Sequence, residues 1–268
     1  MLFCWFTTRR REVGLGYGWL LRGIYLLLAV GSAIVGFRYT TVVVREVASI
    51  GLAAACGVGL VVSVARRRAG VRGQRSEHDR RTARVAAMTG IERGEIDDVP
   101  RGGREFPPAL DLLPVAVGSV GLVAAALDAG GNAAVAVIRT LAGAAFLGAV
   151  TDAMLLGHWY LVQPGLPRRF LNELVSALAW VWPVEVVALL LPTGMLSVWS
   201  GSVDDGWGGT LGWMWAACAV TTIVLVYVTR AALREREYSA VMAATGLLYL
   251  AILTAFGTDL VARAVLDG

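Results

Sequence analysis

The chain contains no lysine: all 24 of its basic residues are arginine. A Walker A phosphate loop, which needs that lysine, is therefore absent. Histidine is nearly as scarce, with only His78 and His158. The three cysteines, Cys4, Cys56 and Cys218, lie far apart and form no CxxC pair, so neither a zinc site nor a redox motif is available. Charged residues make up only 16% of the chain, against about 25% in an average soluble domain. Together these shortages exclude an ordinary water-soluble enzyme, a disordered chain and a disulfide-stapled secreted module.

Signatures of soluble catalysis are missing too. There is no HExxH, no GxSxG and no aspartate-rich prenyl-diphosphate motif. Gly14-Leu15-Gly16-Tyr17-Gly18 is no dinucleotide fingerprint, because no strand precedes it and an apolar run follows. Enzymatic activity is disfavoured on these grounds.

What is abundant is apolar length. Hydrophobic residues account for 57% of the 268 positions. Seven stretches, roughly 18–37, 41–65, 109–127, 133–157, 171–191, 210–230 and 239–262, are each long enough to cross ~30 Å of hydrocarbon at 1.5 Å per residue. This pattern predicts an all-α, polytopic helical transmembrane bundle of about seven spans, one helical membrane domain over residues 1–268. Pro114 in the third stretch, and Glu173, Pro183 and Glu185 in the fifth, set the range at six to eight. Arg9-Arg10-Arg11 ahead of the first stretch is not a signal-peptide feature, because the run that follows is too long and further spans come after it.

Arginine placement predicts the orientation. With the N-terminus inside, segments 1–17, 66–108, 158–170 and 230–238 hold 19 of the 24 arginines, eleven of them in the 66–108 loop. The segments 128–132 and 191–209 hold none, and the latter carries Asp204 and Asp205. The positive-inside rule then puts the N-terminus and the arginine-rich loop in the cytoplasm and the C-terminus outside, in a bacterial inner membrane. Within the loop a short helix is expected over about 79–89. The basic balance marks orientation and contact with lipid headgroups, not a nucleic-acid face.

Charges inside spans mark interior contacts or function. Arg45, Glu46, Arg139 and Glu185 all fall about five or six residues beneath the outer surface, roughly 8–9 Å deep. Two guanidiniums and two carboxylates at one depth make a neutral set, read either as an interhelical ion-pair cluster or as a pocket opening outward. Arg45, Ser49, Ala53 and Gly57 recur every four residues and suggest a stripe of close helix contact.

A second candidate site lies at the inner face, with Asp152, His158, Trp159 and Tyr160 near the end of the fourth span. Asp152 and His158 are ~120° out of phase and form no intrahelical pair. His158 beside Trp159 and Tyr160 would suit a quinone or, with a methionine as second axial ligand, a haem; the alternative is an aromatic belt at headgroup level, with no cofactor at all. Trp199, Trp207, Trp213 and Trp215 read as the matching belt on the outside.

Three functions remain open on sequence alone: a non-catalytic subunit of a larger, energy-transducing membrane complex, with partner subunits or copies of itself; a small-solute or proton transporter using the intramembrane charges; or a quinone-contacting redox subunit. The orientation is directly testable. Cysteines introduced as Ser76→Cys and Ser202→Cys are expected to differ, an impermeant maleimide labelling only the second from outside. Labelling of both, or of the first alone, overturns the assignment.

Overall fold

Hydrocarbon offers no water to an exposed peptide group, so a spanning segment must close its own hydrogen bonds as a helix. The computed structural model describes residues 1–69, 104–163, 166–235 and 237–266, and no strand occurs among them. The helices are α1 (Leu2–Thr8), α2 (Leu15–Tyr39), α3 (Val43–Ala65), α4 (Leu112–Asp128), α5 (Ala133–Val162), α6 (Arg169–Leu190), α7 (Leu196–Trp199), α8 (Thr210–Ala232) and α9 (Tyr238–Leu266). A 3₁₀ turn at Pro108–Asp111 leads into α4. All but α1 and α7 are long and apolar enough to cross a membrane, giving seven such helices among the described residues. The protein is thus an all-α, multi-pass membrane protein. Side chains such as Leu27, Ile34, Val61, Leu253 and Leu260 point outward, as lipid-facing residues do.

Each expected span is one of these helices, shifted at its ends by a few residues. Pro114 causes no break because it sits in the first turn of α4, where its missing N–H has no helical partner to lose. Pro183 lies inside α6, and the helix continues past it to Leu190. The short helix expected over 79–89 lies outside the described residues.

Contacts divide the chain into two compact units, Met1–Gly121 and Leu122–Gly268. In the first, α2 and α3 pack together along their length, with the Ser32 and Ser49 hydroxyls 3.4 Å apart. The start of α4 lies on α3 through small residues. A Cβ on Gly121 would stand 2.9 Å from that of Ala48, and one on Gly51 would stand 3.1 Å from Val117. This is not the expected stripe. Ser49 does face α2, but Gly57 looks into open space. Residues four apart drift by about 40° per step around a helix, so three steps carry such a stripe off any one neighbour.

In the second unit α9 packs against α8 and α5, and α6 against α5 and α8. Small residues again set the approach. A Cβ on Gly157 would come within 2.8 Å of the Thr245 hydroxyl, and one on Gly257 within 2.8 Å of the Cys218 sulfur. Polar bonds tie the same helices, with Thr222 Oγ1 donating to Thr254 Oγ1 (2.7 Å) and the Trp182 indole to the Ala219 carbonyl (3.0 Å).

Side chains serve the starts of two helices, α5 and α8. Asn132 accepts from the Val135 N–H at 3.2 Å and starts α5. Asp205 accepts N–H bonds from Gly209 (2.8 Å), Trp207 (2.9 Å) and Leu211 (2.9 Å) ahead of and into α8. These donors, the Gly209 N–H foremost, hold its carboxyl below the ordinary carboxylate range. The outer tryptophans divide. Trp207 and Trp213 are exposed as a belt requires, but Trp215 is only 3% exposed and packs with Leu189, Met195, Val198 and Val261.

Candidate functional site

Every guanidinium in a span needs a counter-group close by. The most completely satisfied is one that the depth argument passed over. Arg22, two turns into α2, is 2% exposed and grips Asp111, 1% exposed, in a two-pronged pair: Nε to Oδ1 and Nη2 to Oδ2, both 2.7 Å. Its Nη1 donates to Ser63 Oγ on α3 (3.3 Å), which also accepts from the Trp19 indole (2.9 Å). Phe106 lies 4.0 Å beneath the guanidinium, and Thr8 of α1 reaches Asp111 at 3.4 Å. Gly18 and Gly59 leave room for the arginine; a Cβ on the former would stand 2.6 Å from Nη1. The arrangement clamps four segments of the first unit together.

Of the four charges grouped by depth, Arg45 and Glu46 belong to the first unit and Arg139 and Glu185 to the second. Arg45 and Glu46 meet directly, Nε to Oε1 at 2.7 Å. Arg45 also donates to the Thr40 carbonyl at the end of α2, and the buried Glu46 carboxylate rests on Gly36. Arg139 donates to the Ala188 carbonyl (3.2 Å) and to that of Leu191, so it caps the C-terminal end of α6.

Glu185, fully buried one turn before Ala188, instead faces Asp259 and Arg263 of α9. Those two form an i,i+4 ion pair, Arg263 Nε to Asp259 Oδ2 at 2.8 Å. Gly143 of α5 makes their position possible, since a Cβ there would lie 2.5 Å from Asp259 Oδ1 and 2.7 Å from Arg263 Nη2. The second unit therefore carries its own set of two arginines and two acids.

This set borders a cleft of about 800 Å³, lined by Asn132, Arg139, Thr140, Gly143, Asp259 and Arg263 among apolar and small residues. The volume lies within the ~300–1,000 Å³ of small-molecule sites. The cleft lies where α6 and α9 finish and α5 begins, within the second unit. Asp259 Oδ1 and both Glu185 oxygens are buried without a hydrogen-bond partner.

The inner-face residues do not converge. His158 is exposed and sits 3.3 Å from the Tyr249 hydroxyl. Trp159 bonds the Gln163 side chain (3.2 Å), and Tyr160 is buried with its hydroxyl donating to the Pro167 carbonyl (2.8 Å). Asp152 is buried in α5. Consecutive helical residues point about 100° apart, so three in a row address three different surroundings.

Comparison with known proteins adds nothing to this geometry: no protein-family model matches the chain, nor does any curated protein or solved structure.

Arg22, Asp111, Asp259 and Arg263 were missed, although a signal was present. Arg22 and Asp111 both stand near the starts of their spans, and Asp259 lies near the depth of Glu185. The energetic weight of the Arg22 clamp can be measured. Asp111→Ala should cost about 3–5 kcal/mol of unfolding free energy in detergent, because it strands a buried guanidinium. The paired change Arg22→Leu with Asp111→Leu should cost less than the single one.

Proposed function

We propose that the protein is a carrier for a small polar solute, with the cleft of the second unit as its binding site. One observation supports the reading above the others: an ~800 Å³ cleft into which charged groups of α5 and α9 converge beside small apolar residues. A purely structural ion-pair cluster would have packed that space shut. Asn132, Thr140 and the two guanidiniums offer donors to an anionic or carbonyl-bearing solute, and Asp259 offers an acceptor. With the orientation predicted by the arginine bias, the cleft faces the outside of the cell membrane.

The test blocks the cleft without touching its charges. Ala136 lines it, and Ala136→Trp should abolish proteoliposome uptake of the small carboxylates or phosphate that stabilise the wild-type protein in a thermal-shift panel, leaving the melting temperature unchanged. Undiminished uptake by this variant would remove the cleft from transport.

A second reading, an integral subunit of a larger membrane assembly, draws on Trp180. This residue lies midway along α6 and is 77% exposed. Indoles favour the ends of a span, where their N–H meets water or headgroups. At mid-depth a partner helix would cover the ring and accept the bond. Purification in mild detergent should then retain a second subunit or a second copy, lost on Trp180→Leu; a clean monomer counts against it.

A further inference from the structure

We propose that Glu185 and Asp259 together hold one proton, which they exchange with the cleft. The inference rests on the carrier reading above and names the ion to which that carrier is coupled.

Both acids are buried, Glu185 at 0% and Asp259 at 6% exposure, and Asp259 lines the cleft wall. Three of their four carboxyl oxygens have no hydrogen-bond donor: Asp259 Oδ1 and both oxygens of Glu185. The fourth, Asp259 Oδ2, accepts from Arg263 at 2.8 Å.

The charged groups around the pair are few. On α9 the only cation facing Glu185 is Arg263, and Asp259 is the second acid. From α5, Arg139 is directed at the Ala188 and Leu191 carbonyls, and Asp152 stands thirteen residues deeper, about 20 Å along the helix. From α8 the titratable groups are Cys218, Tyr227 and Arg230, the last at the opposite end from the cleft. The three bare carboxyl oxygens thus stay without a donor in low-dielectric surroundings.

One proton corrects the bonding. It turns one carboxylate into a carboxyl, whose O–H can donate to the other acid, and two of the three bare oxygens then have partners. Among the described residues no three His, Cys, Asp or Glu side chains gather as metal ligands, whereas a proton needs only these two oxygens. The proton comes from water in the cleft and returns to it, with no other bond made or broken. Arg263 orients Asp259, and Gly143 lets the pair lie against α5 beside the cleft.

Infrared difference spectroscopy of the full-length protein in lipid tests this through the C=O stretch of a protonated carboxyl group. The wild type is expected to show one such band at neutral pH. That band should be lost in Glu185→Gln and also in Asp259→Asn, because either amide leaves a single acid that Arg263 neutralises. Absence of the band in the wild type, or its survival in both variants, overturns the proposal. Asp152→Asn should leave the band in place, and its loss there would assign the proton elsewhere. The carrier reading fails separately: a band that behaves as expected in a protein showing no uptake leaves the proton site standing without the transport.

Discussion

Inside hydrocarbon a charged side chain must find its counter-charge or its donors within a few ångströms, because no water or salt can screen it. Much of the polar architecture of this protein answers that demand. Arg22 meets it with a carboxylate, a serine hydroxyl and a phenyl face. Arg45 uses its sequence neighbour Glu46 together with the free carbonyl of Thr40. Arg139 takes the carbonyls that a helix leaves unbonded at its C-terminal end. Guanidinium suits all three roles because it offers five donors in a rigid fork and stays charged at any working pH.

The two units answer the demand to different degrees. The Arg22–Asp111 pair is closed: both oxygens of the acid are engaged and the surrounding glycines fit the arginine tightly. A closed pair holds helices in place and has little left to offer a ligand. The Glu185–Asp259–Arg263 group is open: three oxygens lack donors and one side meets a cleft. Bare buried acceptors are costly. The contrast between the two groups is one of bonding more than of charge.

Membrane depth carried the sequence reading of the site part of the way. Counting residues from the ends of each span singled out Glu185, which is buried, and Arg139, which is half-buried, and it could have found Asp259 and Arg263 by the same arithmetic. Depth is one coordinate, and by itself it says nothing of which helices are neighbours. The inner-face group failed differently. His158, Trp159 and Tyr160 are adjacent in sequence, which on a helix means that they diverge. Likewise the four-residue stripe from Arg45 to Gly57 rotated away from its neighbour, and the real contacts of α3 with α4 fell on Ala48, Gly51 and Leu52.

From sequence alone came the number of spans, their approximate limits and the all-helical class, because bilayer thickness and the cost of unbonded peptide groups leave a long apolar run no other form. Those constraints act on each segment separately, so they can be read locally. Tertiary structure alone decided which helices touch, that Trp215 is core while Trp213 is surface, and which of the intramembrane charges end with a full set of partners. These depend on rotation about each helix axis and on packing between residues as far apart as Arg22 and Asp111, and no local window of sequence contains that information.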